Sequence, residues 1–202
     1  MGIFPQPSPE SPPMFESRFI DRFSRTHWAT VPMLFVPAIT ALLWWSVAQA
    51  RVSVPATVAL FVFGFFVWTL SEYALHRSFF HWTPKTGWGP RLHFLAHGVH
   101  HDWPTDKYRL VMPPAISISL FWLTLGVWVL LLGRFAWSFH AGYVVGYIYY
   151  DCMHYFIHHA KPKAEWARAL RKHHLVHHSP NLANGRKFGV STTFWDHVFR
   201  TY

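Results

Sequence analysis

Four stretches of this chain carry no Lys, Arg, Asp or Glu over close to the ~20 residues that a helix needs to cross the hydrocarbon core of a bilayer. They run over residues 31–50, 52–70, 111–132 and 135–150. Backbone in lipid has to satisfy its own hydrogen bonds, so apolar runs of this kind fold as helices. Only Arg51 and its neighbours separate the first pair, and only Gly133 and Arg134 the second. Each pair is therefore expected to form a tight hairpin. The expected fold is an all-α integral membrane protein, with four transmembrane helices as two hairpins.

Two hairpins leave residues 1–30, the segment 71–110 and the C-terminal segment on one side. Of the 18 Lys and Arg residues, all but Arg51 and Arg134 fall in those three segments. The positive-inside rule puts that side, with both termini, in the cytoplasm. A bacterial inner membrane and an endoplasmic reticulum both meet this expectation. The net charge of +9 then reflects topology and attraction to anionic headgroups, and no nucleic-acid partner is expected. Charged residues make up 13% of the chain, against about 25% in soluble domains. Cys152 is the only cysteine, which rules out an internal disulfide and any Cys-based zinc or iron–sulfur site.

The first 13 residues hold five prolines and read as a flexible tail with no secretory-signal pattern. Residues 15–28 alternate aromatic and charged side chains and suit an interfacial amphipathic helix. The chain thus divides into a flexible or interfacial segment, 1–30, and one membrane domain, 31–202.

The 16 histidines gather beside the ends of the spans. His76 and His81 close the second. His97, His100 and His101 follow it. His154 and His158 leave the fourth, and His174, His177 and His178 come after. Residues at i, i+3 and i+4 share a helix face, so each triad can converge on one point. His76 and His81, five apart, are off-face for a regular helix, and the helix is expected to end or distort between them. Ten imidazoles suit two transition-metal ions, set in a cytoplasmic helical cap. Neutral ligands leave the metal charge uncompensated, and Glu72, Asp102, Asp151 and Asp196 are placed in sequence to act as outer partners. His93, His159, His173 and His197 are expected in outer or structural roles, and His27 and His140 as interfacial residues.

At this point the sequence resembles the fatty acid hydroxylase superfamily, which includes sterol desaturases and C4-methyl oxidases. Within it the chain is most similar to the fatty acid 2-hydroxylases. The resemblance rests on SEYALHRSFFHW (71–82), HFLAHGVHHDWPTDKYRLVMPP (93–114), GYIYYDCMHYFIHH (146–159) and FGVSTTFWDHVFRTY (188–202), and covers about residues 60–202. It implies O2-dependent hydroxylation at the carbon next to an acyl carboxyl carbon, on the N-acyl chain of a ceramide or a related lipid. It implies a dimetal centre, iron for activity with zinc able to occupy the same ligands, and it places those ligands on the same ten histidines. Many members carry a cytochrome b5 domain. Here about 30 residues precede the first span and no His-Pro-Gly-Gly string appears, so a separate electron donor is expected, such as cytochrome b5 or a ferredoxin with its reductase. Lys107, Tyr108 and Arg109 are expected at the lipid headgroup.

The sequence leaves two other readings open. One is desaturation or methyl oxidation of a sterol or related lipid at the same kind of centre. The other is metal transport, which needs ionisable groups along a path through the membrane; these spans are nearly free of them. Oligomeric state is not legible.

Overall fold

A computed structural model describes residues 10–82, 84–179 and 185–202. No strand forms among them. The chain runs through α1 (Arg18–Phe23), α2 (Thr30–Ala48), α3 (Val54–Leu75), a π-helical turn (His76–Phe80), α4 (Gly89–His93), a second π-helical turn (Phe94–Gly98), α5 (Val99–Asp102), α6 (Pro114–Leu132), α7 (Ala136–His159), α8 (Glu165–His177) and α9 (Phe194–Val198).

Three segments are long and apolar enough to cross a membrane: Thr30–Ala48, Val54–Phe80 and Pro114–His159. The expected third and fourth spans thus fall in one apolar stretch. It is broken at Gly133, which takes a positive φ of 54° open to glycine at no steric cost. Beyond that break α7 folds back on α6, with Phe121 against His140 at 4.7 Å and Trp128 against Phe139 at 4.8 Å.

Helix α7 is the centre of the bundle, packed by α2, α3 and α6. Its contact with α3 is backbone to backbone. A Cβ on Gly142 would lie 1.8 Å from the Phe61 carbonyl oxygen, and one on Gly64 2.0 Å from that of Phe139. Small residues of this kind let membrane helices approach closely. One turn on, the Trp68 side chain lies over Gly146. On the α2 side, the hydroxyls of Ser46 and Ser138 share a buried hydrogen bond.

His140, expected at an interface, is instead fully buried in this core. Its position halfway round the α6–α7 contact overrides the preference of a lone histidine for water.

The amino-terminal segment also departs from expectation. Residues 1–9 lie outside the described residues, but Ser11 and Met14 are buried rather than free. Ser11 donates from its amide (2.9 Å) and hydroxyl (2.6 Å) to Asp106, and the Met14 amide donates to Asp21 at 2.6 Å. Arg109 donates to Asp21 at 3.1 Å and to the hydroxyls of Ser11 and Ser24. Arg25 joins Asp21 and Asp106, each at 3.4 Å. Two aspartates and two arginines thus strap residues 11–25 to the loop before α6.

Burial pushes both carboxyls up, but hydrogen bonds outweigh it and hold each below its ordinary value. Those bonds come from Met14 and Arg109 for Asp21, and from Ser11 and Tyr108 for Asp106. A carboxylate depressed in the folded state stabilises above its unfolded pKa, near 3.9 for Asp, and that contribution is lost as pH falls through the lower folded value. Hydrogen exchange of residues 11–25, corrected for intrinsic rates, should therefore stay slow down to about pH 4 and quicken below it.

Candidate metal centre

Helices α3 and α7 end on the same side of the bundle, where α4, α5 and α8 gather. The ten expected histidines form two groups there. His76, His81, His97, His101 and His177 make one; His100, His154, His158, His174 and His178 make the other. Within each group the ligand atoms lie within 4.8 Å of one another. The groups abut where His101 stacks on His178 at 4.3 Å.

Local geometry sets this sorting. The backbone widens to a π turn from His76 to Phe80, and i→i+5 pairing brings His76 and His81 to one group despite their five-residue spacing. His154 and His158 are one α-turn apart on α7 and stay together. The triads behave differently from the expectation that each converges on one point. In each, the i and i+4 histidines share a group while i+3 joins the other. His97 and His101 part from His100, and His174 and His178 part from His177. The cause is angular: i+3 and i+4 fall on opposite sides of residue i around a helix of 3.6 residues per turn.

The nitrogens meet in a way that hydrogen bonding alone cannot satisfy. The Nε2 of His174 lies 3.1 Å from Nε2 of His154, 2.9 Å from that of His158 and 3.0 Å from that of His178. An imidazole nitrogen offers one proton or one lone pair, so it cannot serve three partners. Nε2 of His97 likewise faces His76 at 3.1 Å and His101 at 3.0 Å. Both ring nitrogens of buried His100 lack a hydrogen-bond partner. A shared cation at each point removes the conflict, and all-imidazole donor sets suit zinc, copper, iron or nickel.

The protonation states agree. Burial, then repulsion among neighbouring imidazoles, holds His97, His100, His174 and His178 well below the ordinary histidine value. The same causes bring His81 to about 4 and His101 to about 2. Neutral rings present the lone pairs that a metal needs.

Orientation comes from the C-terminal segment. His76 donates Nδ1–H to the Phe188 carbonyl at 2.5 Å and His177 to the Arg186 carbonyl at 3.0 Å, which leaves both Nε2 lone pairs facing inward. Two buried carboxylates hold that segment. Asp196 accepts from the Phe188 and Gly189 amides at 2.9 and 2.8 Å, from Thr201 at 2.7 Å and from His173 at 3.0 Å. Glu72 accepts from the Val190 and Ser191 amides at 2.9 and 2.8 Å, and from the Ser191 hydroxyl. Of the expected outer carboxylates, Glu72 and Asp196 thus bear on His76 through the backbone of 188–191, and Asp196 meets His173 directly.

Asp151 is buried next to Tyr147, with Oδ2 lacking a partner. Asp102 is exposed at the end of α5. His93 lies near His81 and His101. His159 packs on Tyr155 at 4.6 Å, its ring 6.5 Å from that of His158 but outside the ligand groups, and His197 packs on Tyr202 at 4.1 Å. Arg109, expected at a headgroup, is 6% exposed because Asp21 draws it inward. Lys107 and Tyr108 are exposed. Phe188, Arg186 and Ser191 were not singled out from sequence. Their roles run through backbone atoms or long-range contact, and only the conspicuous string FGVSTTFWD marked the region.

Comparison with known proteins adds the family. The fatty acid hydroxylase model matches residues 61–201. The ceramide very long chain fatty acid hydroxylase SCS7 of Saccharomyces cerevisiae is 41% identical over 198 residues, covering 95% of this chain and 50% of that protein. The dihydroceramide fatty acyl 2-hydroxylase FAH1 of Arabidopsis thaliana is 37% identical over 195 residues, covering 95% of this chain and 80% of that one. The chain thus spans about half the length of the yeast relative. A solved structure described as full length scs7p, with only the hydroxylase domain visible, matches with a TM-score of 0.84 at 39% identity. The match covers 92% of this chain and 70% of that one. With its all-helical fold and paired histidine groups, this chain belongs to the fatty acid hydroxylase family.

Proposed function

We propose that this chain is an O2-dependent lipid hydroxylase that places a hydroxyl on the carbon next to the carbonyl of a fatty acyl chain, free or amide-linked in a ceramide. The observation that carries this reading is the pair of five-imidazole groups at one end of an apolar bundle, in a chain of this family. The ligands we assign are His76, His81, His97, His101 and His177 for one metal ion, and His100, His154, His158, His174 and His178 for the other. Iron is the metal proposed for turnover, with zinc able to take the same nitrogens. When bound, the metals supply the activation of O2 that no side chain here can provide.

The balance of the reaction is one C–H bond and one O2 converted to C–OH and water, with two electrons and two protons taken up. The electrons come from a separate donor, such as cytochrome b5 or a ferredoxin with its reductase. We read the break at Gly133 as the tip of the second of two hairpins, which gives four spans. The basic segments and both termini then face the cytoplasm, and α4, α5 and α8 cap the site there.

The protein's part is position. Carbonyls of Phe188 and Arg186 orient two imidazoles, and Asp196 and Glu72 hold the backbone of 188–191 that carries the first of them. The close α3–α7 seam excludes an acyl chain from between those two helices. Lys107 and Tyr108 stand where the substrate's headgroup would emerge. A carbon close to the headgroup then lies at the depth of the metals.

The test is mass spectrometry of hydrolysed total lipid from a ceramide-making host that lacks its own 2-hydroxylase. New 2-hydroxy fatty acids should appear with the wild-type chain and disappear with His177→Ala. A sterol or other lipid carrying new oxygen or a new double bond, with no 2-hydroxy acid, would move the activity elsewhere in the superfamily.

A further inference from the structure

Away from the histidines, a groove of about 200 Å³ opens between the amino-terminal strap and the starts of two long helices. Arg22, Arg25, Thr26 and His27 line it, together with Thr30 at the start of α2 and Pro114 at the start of α6. We propose that this groove binds the phosphate of an anionic membrane phospholipid, as an anchoring lipid distinct from the substrate.

Four independent features converge there. Arg22 is exposed and makes no ion pair among the described residues. Arg25 is held in place by Asp21, Asp106 and, at 2.8 Å, the Ser11 carbonyl, so its guanidinium has a fixed orientation at the groove wall. The hydroxyl of Thr26 is buried, with the residue 3% exposed, yet it has no hydrogen-bond partner. An orphaned buried hydroxyl at a cationic groove is a donor awaiting an acceptor. His27 accepts the Ala29 amide on Nδ1 at 3.3 Å, which puts its own proton on Nε2, free to donate.

The helix ends close the groove without adding donors. Helices α2 and α6 are each 19 residues long, and neither has a side-chain cap at its amino-terminus. Most of their first-turn amides are nonetheless taken up or missing: Thr30 and Val31 donate to the His27 and Trp28 carbonyls, Ile116 and Ser117 to that of Pro113, and Pro32 and Pro114 have no amide hydrogen, so recognition in the groove rests on its side chains. The acidic neighbours, Asp21 and Asp106, are paired with Arg25 and Arg109 and hydrogen-bonded by Ser11 and Met14, which leaves the charge of Arg22 for an anion.

The surroundings select a lipid over free phosphate. Phe23 and Ala115 supply apolar walls. On the same segment Phe19 is 70% and Phe23 61% exposed, with Ile20 and Trp28 beside them. Apolar side chains flanking a cationic groove fit the boundary between headgroups and acyl chains. Trp28 packs on Tyr155 at 5.7 Å, so the lipid would steady the outer face of α7 near the turn that carries His154 and His158.

Native mass spectrometry of the metal-loaded protein in an uncharged detergent tests this. The probes are phosphatidylglycerol and a diacylglycerol with the same acyl chains but no phosphate. The wild-type chain should retain phosphatidylglycerol and not diacylglycerol. The Arg22→Gln and Thr26→Val variants should each bind it more weakly, Arg22→Gln by roughly fivefold, with an unchanged melting temperature and metal content. Equal retention of the two lipids would overturn the proposal, as would equal binding by both variants. Displacement of the lipid by an equimolar amount of inorganic phosphate would overturn its lipid half. None of these readouts depends on turnover, so the assignment of a hydroxylase stands or falls separately.

Discussion

Replacing His174 by alanine is expected to cut the metal content from two ions per chain to at most one and to reduce hydroxylation by far more than 100-fold. Its Nε2 lies within 3.1 Å of three other imidazole nitrogens, so it is the geometric hub of its group. Loss of an outer partner already costs about 10–100-fold in metal-dependent activity, and a hub ligand is worth more. His159→Ala, which removes a ring packed on Tyr155 outside both groups, serves as the control and should keep both ions. Metal analysis of the purified proteins, paired with product formation, reads the result. Two ions retained by His174→Ala would mean that the ten nitrogens do not act as two ligand sets.

The second large effect concerns the bundle. Gly142→Ala should destabilise the protein by about 3 kcal/mol or more, because the new methyl group would meet the Phe61 carbonyl at 1.8 Å and neither backbone can yield. Gly126→Ala on α6 is the matched comparison. Nothing lies within 4 Å of a Cβ there, and alanine is the better helix former by about 0.5–1 kcal/mol. Thermal unfolding in detergent should separate the two variants in opposite directions. Equal melting temperatures would show that α3 and α7 are not packed backbone to backbone.

Much of this architecture was legible because it is local. The apolar runs announced helices, and the gap between His76 and His81 announced a distortion, found as a π turn. The ten histidines stood out by number and spacing. What the chain did not reveal was partnership at long range. Spacing alone let each triad converge on one point, and only the packed positions of α5 and α8 show that i+3 crosses to the other group. Arg109 read as a headgroup ligand because Asp21, 88 positions away, is invisible as its partner from sequence. The five prolines of the first 13 residues concealed that Ser11 is anchored. His140 followed the usual habit of a lone histidine near lipid until the α6–α7 contact buried it. The carbonyls of Phe188 and Arg186 had no side-chain signature to find.

The crossing of the triads reaches beyond geometry. Because α5 and α8 each send nitrogens to both pockets, neither pocket has a scaffold of its own. An ion seated in one would fix the rotation of both helices, and so complete most of the ordering that its neighbour needs. The loss of conformational freedom would then be met once for two ions, which would link their occupancies without any direct contact between them. A cell short of metal would then hold this protein mainly as two populations, empty and full, and enzyme output would follow the number of filled molecules while each filled molecule worked at its full rate.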